Sequence, residues 1–556
     1  MKPANHSELS IGTVGRREFV GRTVAAGAAL LVPGAAASSA PPASSAPPAA
    51  ARGHAPMLRQ EALFEKTIAE LALEMQRGAL TSHALTARYL SRIDAMDKRG
   101  PSINAVIELN PEALAIADQR DAERKAGNVR GPLHGIPVLI KDNIDSADRM
   151  RTSGGSLALA TSTPPKDAFI VERLRDAGAV LLGKTNLSEW ANYRSTRSTS
   201  GWSGRGGQTH NPYVLDRNPC GSSSGTGAAI AADFATVGIG TETDGSIICP
   251  SGICGLVGVK PTVGLWGRSG IIPISASQDT AGPMARTVAD AAALLGALTG
   301  VDPRDSATKA SAGHTIDYTK SLDASGLKGA RIGVARNLAG FNPDVDAALD
   351  HALAAMKDAG AEIVDKANLA GAGKFDDAET IVLDYEFKAG LNAYLASLGP
   401  AAPVKTLAEL IAWNEREKAR EMSWFGQEIF ERAQKRGPLS ERKYLDARAR
   451  CIRMARTEGI DATLARNRLD AIVCPSNQPS WPTDYLNGDH FTGGNTTFAA
   501  VAGYPSVTVP MGLVHELPVG LSFIGRSWSE GALLKYAYAF EQATKARRAP
   551  RYIAAL

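Results

Sequence analysis

The stretch Cys220-Gly-Ser-Ser-Ser-Gly-Thr-Gly-Ala-Ala-Ile-Ala-Ala-Asp-Phe-Ala-Thr-Val-Gly-Ile-Gly-Thr-Glu-Thr-Asp-Gly-Ser-Ile-Ile-Cys-Pro-Ser-Gly-Ile-Cys-Gly-Leu-Val-Gly-Val-Lys-Pro-Thr262 decides how the chain is read. It carries two glycine-flanked hydroxyl clusters, Gly221–Gly225 and Thr243–Ser246, separated by the apolar segment Ala228–Ile239. Glycine beside a hydroxyl lets backbone N–H groups approach a ligand with no Cβ in the way. Successive free N–H groups in such turns form concavities suited to an anion. A Gly/Ser linker would have flexible-coil composition throughout. Two clusters bracketing a buried-looking helix and strand do not fit that description.

Outward from this stretch, the chain alternates helix and strand patterns. Thr81 or Ser82 caps a helix through Leu85, Tyr89, Ile93 and Met96. Asn110-Pro111 opens the next, with Asn as cap and Pro at the first turn. Ile136–Ile140 reads as a strand that ends in the charged turn Lys141-Asp142-Asn143. Asp167 caps a helix through Ile170, Leu174 and Ala177, followed by the short strand Val180–Leu182. Further strands are expected at Val237–Ile239, Arg331–Ala335, Ala471–Cys474 and Ser506–Val509. Helices are expected at Ala228–Ala232, Thr287–Leu298 and Val345–Ala359, with a last one capped by Ser529. This alternation predicts an α/β fold, a large mixed and mainly parallel sheet flanked by helices on both faces. Leu369–Asn467 is helix-rich and polar and is read as an excursion from the sheet within one domain spanning 56–556.

Residues 1–55 are read as lying outside that fold. Arg16-Arg17 precedes a weakly apolar segment, Val24–Ala37, with small-residue cleavage candidates at Ala35–Ala37 and Ser38–Ala40. This is the build of a bacterial twin-arginine export signal, so the twin-arginine machinery is an expected partner of residues 1–40 and the location periplasmic or secreted. The Ala/Pro/Ser-rich run that follows is an extended tether. After it, no apolar run reaches membrane-span length. Lys2, Arg16, Arg17 and Arg22 against Glu8 and Glu18 supply half of the formal +4 charge, and the remainder shows no basic excess of the kind a nucleic-acid binder needs. Five cysteines at irregular spacing are no disulfide framework. Cys249 and Cys254 have no second pair to complete a zinc site, so they read as small buried residues, with a lone disulfide left open.

Two motifs match a pattern and fail in context. Gly178-Ala-Val-Leu-Leu-Gly183-Lys184-Thr185 has the letters of a phosphate loop, but a helix precedes it and its middle residues are themselves a strand. Gly221-Ser222-Ser223-Ser224-Gly225 has the letters of a nucleophile elbow. The lead-in Asp216–Cys220 is a turn rather than a strand, and His314, His351, His490 and His515 have no distinctive setting. An α/β-hydrolase esterase therefore stays a minor alternative. A serine hydroxyl still needs a base. Lysine serves if burial keeps it neutral, and Lys141 is placed at the carboxyl end of a strand, where sites form in such sheets. By itself Lys141 reads better as an exposed strand-end lysine beside Asp142.

The blocks Gly135–Asn143, Gly183–Trp190, Cys220–Ala229, Gly240–Pro250 and Gly258–Thr262 resemble the amidase signature family, as do Asp489-His-Phe, Ala502–Pro510 and Gly520–Gly525. The wording Cys-Gly-Ser-Ser-Ser-Gly and Glu-Thr-Asp-Gly-Ser-Ile is most similar to the bacterial peptide amidases. The resemblance implies a Ser-cisSer-Lys triad: Ser246 the nucleophile, Ser222 the bridging serine and Lys141 the base, with Ser223 in support. The separation of 24 residues between Ser222 and Ser246 matches the family register. Backbone N–H groups of Thr243, Asp244, Gly245 and Ser246 would form the oxyanion hole, and no metal or cofactor is needed. The implied reaction releases ammonia from a carboxamide through an acyl-enzyme, with C-terminally amidated peptides as leading substrates. The alternatives are a general aliphatic or aryl-acyl amidase, the ammonia-supplying subunit of a tRNA-dependent amidotransferase, and a binding protein with a vestigial site. Cys220 and Ser224 replace glycines found in many members, and Ile248 replaces an arginine. Asp244 also replaces a glycine, and aspartate tolerates left-handed backbone better than most residues.

Overall fold

A computed structural model describes residues 65–556, so the export signal and tether expected at 1–55 lie outside the described residues. The chain builds one large sheet of eleven strands: β1 (Val106–Leu109), β2 (Pro137–Lys141), β3 (Val180–Thr185), β4 (Val237–Glu242), β5 (Val257–Lys260), β6 (Thr280–Ala285), β7 (Arg331–Val334), β8 (Glu362–Val364), β9 (Ala471–Pro475), β10 (Ser506–Val514) and β11 (Leu517–Ile524). Their spatial order is β1-β3-β2-β4-β6-β5-β10-β11-β9-β7-β8.

The sheet is mixed, as the helix–strand alternation predicts, and its parallel pairing is concentrated in two blocks. β3, β2 and β4 run parallel, as do β9, β7 and β8. The ladders between these blocks, through β6, β5, β10 and β11, are antiparallel. One of these ladders has a simple cause. β10 and β11 are joined by a hairpin at His515-Glu516, both left-handed, which needs no crossover helix. β2, β3, β4, β6 and β9 are buried at every position, so both faces of the sheet are covered. That accounts for the apolar runs Pro137–Ile140, Val180–Gly183, Val237–Gly240 and Ala471–Pro475 within them.

Local signals set most helix starts. Thr81 Oγ1 accepts from Ala84 N at the head of the helix Ser82–Ile93, and Thr287 accepts from Asp290 N ahead of Val288–Ala297. Of three further expected caps, one is displaced and two hold their place in part. Asn110 Oδ1 accepts from Glu112 N, as a cap does, while its Nδ2 donates to Leu181 O and the helix begins at Ala113. Asp167 accepts from Arg175 and from Ala147 N, and its helix begins at Phe169. Ser529 stands at the N-cap of the helix Glu530–Thr544, but its Oγ donates to Arg526 O rather than accepting from the helix.

The excursion is helical as expected, with Asp376–Ser397, Leu407–Arg416, Lys418–Glu421, Glu428–Gln434, Arg442–Ile452 and Ala462–Asn467 as its α-helices. It is packed onto the sheet's loop side. Phe387, Leu391 and Phe430 share one apolar cluster with Trp190 and Ile272, and Phe375 packs edge-on against Phe498.

Candidate active site

β2 and β4 are parallel neighbours with Ile140 opposite Ile239, so both deliver their carboxyl ends to the same edge of the sheet. Lys141 is the last residue of β2 and is fully buried. Its Nζ is 2.7 Å from Ser222 Oγ, 2.9 Å from Thr241 Oγ1 and 3.3 Å from Thr241 O. The lysine of the phosphate-loop lookalike is spent elsewhere. Lys184 Nζ donates to Ile144 O and Thr152 Oγ1, and Val180–Thr185 is a buried strand with no room for a phosphate.

Burial holds the Lys141 amine well below its ordinary value, against the opposing charges of Glu242 and Asp279. A neutral amine has two N–H donors and one lone pair. A neutral amine that donates to both Thr241 O and Thr241 Oγ1 would keep its lone pair for the Ser222 hydroxyl. A charged ammonium in the same place would have no lone pair to offer.

Ser222 follows a cis peptide bond from Gly221. Gly221 has no room for a side chain, since a Cβ there would lie 2.1 Å from Ser188 Oγ. Ser223 latches this loop to β4: its Oγ donates to Thr241 O and accepts from Thr241 N, both at 3.1 Å. Ser223 N donates to Ser246 O at 3.2 Å, which ties the two glycine-serine clusters together although 23 residues separate the bonded pair. Ser246 is 9% exposed and follows Gly245, whose φ of +88° favours glycine. The helix Ile248–Ile253 starts directly after this turn.

The turn Thr243–Ser246 is clamped from three directions, by residues that no sequence motif singles out. Thr243 Oγ1 donates to Asp279 (2.6 Å), and Gln278 Nε2 donates to Thr243 O. Asp244 accepts from Thr496 Oγ1 and Thr497 Oγ1, at 2.5 and 2.7 Å. Glu242 Oε2 accepts from Ile247 N and Ile248 N. Burial raises both Asp244 and Asp279 to about 6. The turn's N–H groups are thus fixed by side chains as far as 253 residues away in the chain, and no local pattern announces such partners. The cysteine reading is also completed here: Cys220 and Cys249 form a disulfide across the site, while Cys254 is buried and free. Among the described residues no histidine hydrogen-bonds to Lys141, Ser222 or Ser246.

Two cavities flank the turn. One, about 210 Å³, is reached between Asn143, Thr241, Thr243 and Asp279 and is walled by Ile271, Ile272 and Ile274. The other, about 290 Å³, exposes Gly221, Asp244, Gly245 and the disulfide on one side and Trp481 and Phe491 on the other.

The amidase family model matches residues 84–534, a span that includes every residue of this site. The chain belongs to the amidase family. It is an amidase, a hydrolase acting on carbon–nitrogen bonds of amides, and the large mixed sheet with flanking helices is the amidase signature fold. Its relatives include a probable amidase of Arabidopsis thaliana, 40% identical over 516 residues, covering 90% of this chain and 95% of the relative. A glutamyl-tRNA(Gln) amidotransferase subunit of Alkalilimnicola ehrlichii is 35% identical over 498 residues, covering 87% of this chain and 98% of that one. Among solved structures, the native peptide amidase of Stenotrophomonas maltophilia superposes with a TM-score of 0.84 at 52% identity, covering 88% of this chain and 99% of that one. The amidase thus resembles the peptide amidases, as the wording around Ser222 and Ser246 implies.

Proposed function

We propose that this amidase releases ammonia from C-terminal peptide carboxamides by a Ser246–Ser222–Lys141 relay. The observation that carries the reading is the 2.7 Å contact between a fully buried lysine amine and Ser222 Oγ. Lys141 accepts the Ser222 proton as Ser222 accepts that of Ser246. Ser246 Oγ attacks the amide carbon, and the N–H groups of the clamped turn from Thr243 to Ser246 stabilise the oxyanion. One such donor contributes on the order of 3 kcal/mol. The proton returns through Ser222 to the leaving nitrogen, ammonia departs, and water cleaves the acyl-enzyme by the same relay. The 52% identity to a peptide amidase supports the substrate class.

The test is ammonia release from a peptide amide against the same acyl group as a simple amide, with fluorophosphonate labelling of Ser246. Preference for the peptide amide, with labelling lost in Ser246→Ala, supports the reading. Equal, poor turnover of the peptide amide removes the substrate class and leaves a general amidase. A folded protein that takes no label removes the nucleophile.

Export by the twin-arginine route, to the periplasm or beyond, belongs to the same proposal. It is supported by Arg16-Arg17 and by the Cys220–Cys249 disulfide, a bond that persists in oxidising compartments. An amidotransferase role, which needs tRNA, fits such a location poorly.

A further inference from the structure

The cavity of about 290 Å³ borders Gly221 and Gly245, so an acyl group bound at Ser246 has space to extend into it. Its polar walls are already committed. Asp489 accepts from Ser200 N and Oγ, Asn218 Nδ2 and Trp481 Nε1. Asp244 is engaged by Thr496 and Thr497. Among the described residues lining the cavity there is no lysine, arginine or histidine, so a negative charge on the acyl part has nothing to pair with and two carboxyl groups to oppose it. Apolar surface is the larger part of the lining. Trp481, 3% exposed, forms the inner wall, and Phe491, 52% exposed, stands edge-on to it with ring centroids 5.9 Å apart. A half-exposed phenylalanine at the mouth of a catalytic cavity leaves apolar area that a ligand can cover.

We infer that Trp481 and Phe491 form an acyl-side subsite that selects carboxamides bearing an apolar, uncharged side chain. The inference rests on the peptide-amide reading of the site and adds the side-chain class. Covering one face of Phe491 with an aromatic side chain removes apolar surface from water, an effect absent for glycine.

The test compares N-acetyl-phenylalaninamide with N-acetyl-glycinamide. The wild-type enzyme is expected to show a higher kcat/KM for the phenylalaninamide. Phe491→Ala should lower the ratio of the two kcat/KM values by about five- to tenfold, on the scale of pocket contacts of this size. Phe491→Leu should restore most of that ratio, an outcome a general loss of folding would not give. An unchanged ratio in Phe491→Ala overturns the subsite while leaving peptide-amide hydrolysis intact. Wild-type enzyme that ignores both compounds while hydrolysing propionamide overturns the peptide-amide reading, and the subsite with it.

Discussion

Lys141 is the base of the proposed relay, and its setting governs the chemistry at the scale of a single residue. Its amine lies in a fully buried position where the charged form is disfavoured, and Thr241 fixes its orientation. Lys141→Met should reduce kcat/KM by about 10³-fold, within the range of a lost general base, and leave a cooperative unfolding transition. Ammonia release and urea denaturation check the two halves. The same residue predicts a pH effect on stability. Its folded-state pKa is depressed below the ordinary 10.5, so between the two values the unfolded chain binds more protons than the native one. Stability therefore rises with pH across that window. The wild-type protein should gain on Lys141→Met as pH climbs from neutral towards 10.5, as read from urea midpoints. Asp279 acts on the same amine through its charge, which favours the protonated form. Asp279→Asn should move the acid limb of the pH–rate profile to lower pH. A profile that only falls in height would assign Asp279 to holding Thr243 and nothing more.

The loop and the turn work as a pair at the scale of elements. β2 and β4 bring Lys141 and Thr241 side by side, and the Ser223 latch fastens the serine loop to β4. The Cys220–Cys249 disulfide closes the opposite side, joining the residue before Gly221 to the helix after Ser246. It spans a sequence separation of 29, and a cross-link over a loop of that size contributes about 3 kcal/mol. Cys220→Ser/Cys249→Ser should lower the urea midpoint accordingly and lower kcat more than it raises KM, since both segments of the proposed relay lose a tether. Steady-state kinetics with and without a dithiol reductant measure this directly. Most elements were legible in the sequence, because the buried strands contain apolar runs and Thr81 and Thr287 cap as their positions suggest. Asp167 is displaced as a cap, and Ser529 holds the N-cap position without its side-chain bond. Asp167 accepts from Ala147 N and Ser529 Oγ donates to Arg526 O, and local spacing carries no trace of either partner.

At the scale of the whole molecule, the helical excursion and the segment 476–497 complete a site whose proposed triad lies between residues 141 and 246. Glu386 accepts from Ser275 Oγ, Glu379 accepts from Gln278, and Thr496 and Thr497 hold Asp244. The export reading predicts that removing residues 1–55 leaves kcat/KM and the thermal midpoint unchanged, since a leader and tether contribute no buried surface. It also predicts that Arg16→Lys/Arg17→Lys prevents export of the full chain, scored by fractionation. Retained activity of a well-folded 56–556 chain, together with cytoplasmic accumulation of the double-lysine variant, is the expected result. Loss of folding on truncation would place those residues in the domain.

By itself the sequence determined the α/β class, the two glycine-serine turns and the residues able to carry the chemistry. Those follow from local periodicity and from backbone freedom at glycine, which neighbouring residues encode. Only the tertiary structure decided that Lys141 meets Ser222 in a buried setting, that Cys220 pairs with Cys249, and that Thr496, Thr497, Trp481 and Phe491 wall the site. Those contacts join residues from 29 to 253 positions apart. Their partners are chosen by the order and direction of strands in the sheet, which no single segment specifies.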